Sequence, residues 1–321
     1  PNTEMAMEQD WWKNRMAEDI YATLRRKEQS FDMYRGQSRQ LWMRKYLVNW
    51  IGMVTKQLNI CATAEHLAVY LMDFFLDGLE MDHRDLYLLA ITCFRLAVKF
   101  EEYTQQLPRF NTLIQFLPQP TGCIPSVSSI SPTIPSYTIE EYISVELTVL
   151  QYFDWELAVP VVPHFVPYYL QVSVDDDDLI NGLPIVSKPV VKSYVEKYTL
   201  YFQQVCLLDP NFRRFAPSLL AASCVASSRI CLHLTPTWPK QLELITDYYL
   251  EELSPCVHQL IKFLKLHEQF CGTLQLAAIS CYNMPSGYRP YPEFQYHYFP
   301  NDERNAVSYS ASQNDNPVVQ C

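Results

Sequence analysis

Apolar residues return at spacings of three and four along most of this chain, the pattern of helices that bury one face. On residues 10–29 the stripe is Met16, Ile20 and Leu24, followed by the basic run Arg25-Arg26-Lys27, and it reads as a peripheral helix. Across 38–58 the face is Leu47, Trp50, Ile51, Val54 and Leu58. Thr63 is a suitable N-cap for a third run carrying Leu67, Tyr70, Leu71, Phe74 and Phe75, which Gly78 ends. The fourth, 85–101, carries Leu89, Cys93, Leu96, Ala97 and Phe100. The last three are apolar over a wide arc, so each is expected to pack against more than one neighbour.

Between Pro108 and Pro135, Pro and Ser break the periodicity, which predicts a short helix at 109–116 and then an exposed loop. Thr138 with Glu141 three residues on forms a capping box for a helix that runs to Phe153. Pro160 and Pro163 mark the start of a new unit, and the acidic run Asp175–Asp178 reads as a solvated loop. Further helices are expected at 190–207, 217–232 and 240–270, with Pro217 in a first turn where its missing N–H costs nothing. The hexapeptide Leu88–Cys93 is echoed by Leu219–Cys224, which suggests two copies of one helical unit. Past Cys271 aliphatic residues thin out and Pro, Tyr, Ser, Asn and Asp take over, a composition that predicts disorder.

Composition sharpens this picture. Only 7 Gly against 22 Pro disfavours tight hairpins and phosphate-cradling loops and favours an all-α fold with Pro-marked connections. The net charge of -10 argues against nucleic acid as a partner. Neither a membrane-length apolar run nor an apolar signal core is found, so a protein that stays inside the cell is expected. The 10 Cys include no CxxC pair. Cys224, Cys231 and His233 come nearest to a metal cluster, but Cys is ordinary filling in that helical run, and no metal or cofactor is expected. Glycine-rich phosphate loops, GxSxG, HExxH and kinase-loop motifs are all missing, which makes enzyme the weaker class.

Four charged residues fall where the helical pattern predicts core: Arg44, Asp73, Lys99 and Glu146. Glu146 is surrounded on its helical wheel by Tyr142, Ile143, Val149, Leu150 and Phe153, where a carboxylate is costly unless paired. Lys99 can answer it; the alternative is an exposed Lys at a helix C-terminus and a Glu at the core edge. Arg44 and Asp73 face the same choice, and their apolar neighbours favour an ion pair.

The run Met43-Arg44-Lys45-Tyr46-Leu47-Val48-Asn49-Trp50-Ile51 resembles the MRxxLVDW signature of the cyclin box. Leu96-Ala97-Val98-Lys99-Phe100-Glu101-Glu102 is similar to the cyclin LASKFEE segment, and Phe153–Pro160 to the end of the fifth cyclin helix. Leu207-Leu208-Asp209-Pro210, Ala216-Pro217-Ser218 and Tyr249–Cys256 resemble the second cyclin fold of the A, B and E types, so the likeness covers about 19–270. It implies two tandem five-helix cyclin folds with an extra N-terminal helix. The segments are then 1–37 with that helix, an N-terminal box 38–159 with a Pro/Ser-rich insertion 117–137, a C-terminal fold 160–270 and a tail 271–321.

The resemblance also assigns roles. Lys99 and Glu146 are implied to bind the backbone of a kinase around its C-helix, with Phe100, Leu150, Trp155 and Leu157 at apolar contact positions. Arg44 and Asp73 are implied to form a structural ion pair, with Leu88 in the box core. A substrate-docking groove for RxL motifs corresponds to Met43, Tyr46, Leu47, Trp50, Met53 and Tyr87; Met53 stands where an acidic contact is usual and Asn49 replaces Asp, so weak or altered docking is expected. The implied protein is not an enzyme but an activating partner, in a heterodimer, of a cyclin-dependent kinase of the cell-cycle class. Kinase substrates or inhibitors are candidate ligands of the groove, and the expected location is the nucleus, with the cytoplasm second. An adaptor of the same fold that activates no kinase is the competing expectation, and a Cys/His metalloenzyme ranks last.

Overall fold

The computed structural model describes residues 11–30, 34–118 and 137–271. Most of the insertion expected at 117–137, including Ser131-Pro132, and all but the first residue of the tail expected at 271–321 lie outside the described residues. Helix α1, Arg15–Glu28, precedes two sets of five. The first set is α2 (Leu41–Leu58), α3 (Ala62–Gly78), α4 (Leu86–Glu101), the short α5 (Phe110–Gln115) and α6 (Ile139–Tyr152). The second is α7 (Val162–Gln171), α8 (Lys188–Leu208), α9 (Pro217–Cys231), the short α10 (Lys240–Thr246) and α11 (Leu250–Cys271). The hexapeptide echo falls on α4 and α9, the third helix of each set, and the short fourth helices also correspond.

The core explains this order. Helix α3 touches α2, α4, α6 and α7, and its residues 64–73 are buried almost without interruption, from Ala64 and Leu67 to Met72. Such an all-round apolar helix belongs at the centre of a bundle. Helix α9 plays that part in the second set: Ala221, Ala222, Cys224, Val225 and Ala226 are small enough to admit α7, α8 and α11 closely. Leu88 is buried in the first core, as expected of a box-core residue.

Several local expectations are corrected. The N-cap of α3 is Cys61, whose Sγ accepts from the Ala64 N–H at 3.5 Å, and not Thr63. Helix α7 is unpredicted by the pattern, because Pro163 and Pro167 interrupt it; its Val161 N–H is satisfied by His164 Nδ1 at 3.1 Å. The helix expected over 240–270 breaks at Asp247, which takes a left-handed conformation with φ 58°. A three-stranded antiparallel sheet joins β1 (Leu179–Ile180) to β2 (Leu183–Pro184) and β3 (Leu234–Thr235), with strands of two residues that fall below any readable alternation. The acidic run is not uniformly solvated either: Asp178 is buried against Arg229.

Helix α1 is far from peripheral in its bonding. Tyr21 Oη donates to the Ile245 carbonyl at 2.9 Å, Arg25 reaches Tyr248 Oη at 2.6 Å, and Glu28 accepts from the Ser218 N–H at 3.0 Å. The side that packs is therefore Ala17, Tyr21, Arg25 and Glu28, while Met16 and Ile20 are exposed and, with the half-buried Leu24, line an open groove.

The capping box of α6 is formed as expected: Thr138 Oγ1 accepts from the Glu141 N–H at 3.1 Å and Glu141 Oε2 from the Thr138 N–H at 2.8 Å. Thr138→Ala is expected to cost about 1 kcal/mol in urea unfolding; a change within a few tenths would show that tertiary contacts alone fix the start of α6.

A buried carboxylate gives a pH prediction. Glu65 on α3 is buried, with a Gln204 amide N–H donated to its Oε2 at 2.8 Å. Burial pushes its pKa above the ordinary 4.5, and Gln204 and Lys56 offset this only in part. A folded-state value raised above the unfolded one means that this group's contribution is full below about pH 4.5 and is lost as pH rises through the folded value. Glu65→Gln is thus expected to raise the melting temperature at pH 7.5 and to lose that advantage near pH 4.5. Equal melting shifts at the two pH values would contradict the assignment.

Candidate protein-interaction site

Lys99 and Glu146 meet on the surface of the first helical set. Lys99 sits in the last turn of α4, where a cation suits the helix dipole, and Glu146 lies in the middle of the adjacent α6. Their Nζ and Oε1 are 2.6 Å apart, with the side chains 39% and 16% exposed. Tyr142, one turn before Glu146, donates its hydroxyl to the same Oε1. Burial, then the hydrogen bond to Glu146, pushes the Tyr142 pKa up, so the phenol stays a donor. The Arg95 guanidinium stacks over the Tyr142 ring at 4.8 Å from its centroid. The pair is therefore fixed from beneath and open above.

Apolar side chains surround it. Phe100 is 49% and Trp155 61% exposed, while Leu150 and Leu157 are partly buried against the first core. The turn after α6 explains why Trp155 projects. Asp154 and Trp155 both take positive φ, 48° and 63°, and the Trp155 N–H donates back to the Leu150 carbonyl at 2.8 Å. A left-handed conformation is unfavourable for a bulky residue, so this turn is held by its surroundings. Lys27 of α1 helps, reaching Glu156 Oε1 at 3.1 Å and the Ala158 carbonyl at 3.3 Å.

Ile143 is not core, as its place on the wheel suggested: with Ile139 and Leu147 it forms an exposed stripe on α6 beside Glu146. Helix α6 carries more apolar residues than one buried face accommodates, but the wheel alone does not say which of them stay outside. On the other side, a groove of about 720 Å³ between α1 and the end of α4 is lined by Met16, Ile20, Leu24, Phe100 and Val159. Exposed apolar side chains thus lie on both sides of the ion pair.

Arg44 and Asp73 form an ion pair within the fold, through Nε–Oδ1 at 2.7 Å and Nη2–Oδ2 at 2.9 Å, both side chains buried. Arg44 also donates to the Leu207 and Leu208 carbonyls at the C-terminus of α8, and Arg213 binds Asp73 Oδ2 at 2.9 Å. Burial alone would raise the Asp73 carboxyl, but the two guanidinium groups hold it below the ordinary value of 3.8.

The expected docking groove on α2 is only partly a surface. Met43, Tyr46, Met53 and Tyr87 retain exposure, but Leu47 is 0% exposed and Trp50 is buried with its indole N–H donated to the Phe116 carbonyl at 3.1 Å. A side chain without accessible surface cannot wall a groove, so Leu47 is core and not a docking residue. Among the described residues, no three His, Cys, Asp or Glu gather as metal ligands, and no helix is long and apolar enough to cross a membrane.

Comparison with known proteins follows the same outline. The model of the cyclin N-terminal domain matches residues 19–158, and that of the cyclin C-terminal domain matches residues 163–275. Cyclin-J of Xenopus laevis is 38% identical over 257 residues, covering 80% of this chain and 64% of that protein; human Cyclin-J is 36% identical, covering 80% and 63%. The chain therefore spans just under two thirds of the length of these relatives. The crystal structure of a viral cyclin from herpesvirus saimiri superposes with a TM-score of 0.54 at 14% identity, over 75% of this chain and 94% of that one, a likeness of fold. With both cyclin domain models matched in tandem and more than a third identity to Cyclin-J over four fifths of the present sequence, this chain belongs to the cyclin family.

Proposed function

We propose that this chain is the activating regulatory subunit of a cyclin-dependent protein kinase of the cell-cycle class, binding the kinase C-helix and holding it in the active position. Cyclins as a family regulate such kinases and are not themselves catalysts. The observation that carries the reading is the Lys99–Glu146 pair at the centre of Phe100, Leu150, Trp155 and Leu157. An ammonium with three N–H groups spends one on Glu146, leaving donors for a partner's carbonyls, and a carboxylate has a second oxygen for a partner's N–H. Surrounded by apolar side chains that exclude water on docking, such anchors count most. Activation is then conformational: an inward C-helix completes the kinase's own Lys–Glu pair and magnesium site. The location that goes with this role is the nucleus, with the cytoplasm second.

The test is co-purification with a panel of cyclin-dependent kinases, followed by a histone-kinase assay. Lys99→Ala and Glu146→Ala are expected to lower activation by about tenfold or more while the melting curve stays near that of the parent. Full activation by both variants removes the mechanism. Failure to bind or activate any kinase in the panel favours an adaptor of the same fold.

A further inference from the structure

A cavity of about 440 Å³ opens where the start of α2 meets the loop between α3 and α4. One wall is aromatic: Trp42, on the first turn of α2, stacks against His83 with ring centroids 5.4 Å apart and is still 58% exposed. Glu80, Asp82 and Arg39 complete the lining, all three exposed to solvent. The loop is held in place, because the buried Gln40 side chain accepts from the Met81 N–H at 3.2 Å and donates to the Met81 carbonyl. The aromatic and charged groups are therefore at the surface, on a backbone fixed before anything binds.

The charges select the occupant. Facing the cavity are one cation, Arg39, and two carboxylates, Glu80 and Asp82. In the neighbouring turns Arg35, Lys45 and Arg84 offset Asp77, Asp85 and Glu141, so the excess at the site is one carboxylate. Asp82 begins the short turn His83–Asp85 without bonding back to cap it. The Arg39–Glu80 contact, 3.4 Å between two exposed side chains, is weak enough to be displaced. An exposed indole offers its π face to a cation, and of the two strongly cationic side chains the planar guanidinium both stacks on that face and forks onto carboxylates.

We propose that this cavity is a docking site for an arginine side chain of a partner protein, stacked on Trp42 and held by Asp82 and Glu80. Its size suits one long side chain with its flanking backbone, where a stable dimer face takes about 800 Å² from each copy. The site uses none of the residues expected to line the α2 groove. It lies at the opposite end of the 16-residue α4 from Lys99, about 20 Å away, so docking here does not depend on the kinase reading.

The test is a titration of the full chain with the blocked tripeptides Gly-Arg-Gly, Gly-Lys-Gly and Gly-citrulline-Gly, followed by NMR on the backbone amides of residues 79–83. The Arg peptide is expected to bind about tenfold more tightly than the citrulline peptide, which keeps the shape without the charge, and about threefold more tightly than the Lys peptide. Glu80→Gln with Asp82→Asn is expected to remove the preference over citrulline, and Trp42→Ala the preference over Lys. Arg39→Gln is expected to strengthen the Arg peptide about threefold by freeing Glu80. All four positions are exposed, so these variants are expected to keep the melting curve of the parent. Equal affinity for the Arg and Lys peptides, which attraction to a chain of net charge -10 would give by itself, would overturn the proposal, as would undiminished preferences in the variants or no binding at all. A chain that dimerises in sedimentation, with Trp42→Ala restoring the monomer and no peptide bound, would give the face to a second copy instead.

Discussion

Asp73→Ala is expected to unfold at a much lower urea concentration than the parent chain, with a loss of about 3–5 kcal/mol. The carboxylate is buried, takes both Nε and Nη2 of Arg44 and also Nε of Arg213. Removing it leaves two guanidinium groups facing each other out of water, and the desolvation cost of each is no longer offset. Arg213→Leu is expected to cost less, since the two-point contact with Arg44 survives. The double variant Asp73→Ala with Arg44→Met is expected to recover much of the loss, because exchanging a buried ion pair for apolar side chains is often close to neutral. Urea curves followed by far-UV circular dichroism decide among these; an Asp73→Ala loss below about 1 kcal/mol would mean that water reaches the pair. Acid gives an independent check. The folded-state pKa of Asp73 is lowered, so its stabilisation is present above the unfolded value of 3.8 and is lost as pH falls through the folded value, opposite in sign to Glu65.

Asp178→Ala is expected to have an effect of the same order, about 3–5 kcal/mol, in the second helical set. Arg229 on α9 is wholly buried and uses its whole donor fork: Nη1 and Nη2 each meet an Asp178 oxygen at 2.8 Å, Nη1 also donates to the Ser173 carbonyl, Nη2 to the Pro236 carbonyl at 2.6 Å and Nε to the Thr237 carbonyl at 3.1 Å. That one side chain ties α9 to the loop after α7 and to the loop before α10. A bidentate, fully hydrogen-bonded pair of this kind is where arginine cannot be exchanged for lysine. Arg229→Lys is accordingly expected to lose most of what Asp178→Ala loses, measured by thermal melting of the full chain. A lysine variant that melts within a degree or two of the parent would show that the charge alone matters.

These two networks differ in how visible they were beforehand. Arg44 and Asp73 stood out because each interrupts an otherwise apolar helical face, and a charge in that setting calls for a partner. Asp178 is the last of four consecutive Asp, a run whose ordinary reading is a solvated loop, and Arg229 follows Ser227 and Ser228 on a helix of small residues. The pairing spans 51 positions, and no local pattern links the two. The Lys99–Glu146 pair was legible for the same reason as Arg44 and Asp73, but the Ile139, Ile143, Leu147 stripe was not, since a helix wheel cannot tell a core face from an exposed apolar one. Helix α1 shows the same ambiguity: Met16 and Ile20 satisfy the periodicity and are exposed, while polar Tyr21, Arg25 and Glu28 make the contacts. Prolines at 163 and 167 hid α7, because the first sits at the helix start and the second is tolerated within it, against their usual sense.

Helix α7 has a consequence for any attempt to divide this chain. By sequence it opens the second set, yet it packs on α3 of the first as well as on α9. Arg44, from the first set, holds the terminal carbonyls of α8, and α1 is bonded to both Glu156 and Tyr248. A fragment ending at residue 159 keeps the buried Asp73 but loses Arg213, the α8 carbonyls and the helix that covers α3. The two sets are repeats in architecture, but their shared contacts predict a single cooperative block, with melting expected to pass through one transition and no separately stable half.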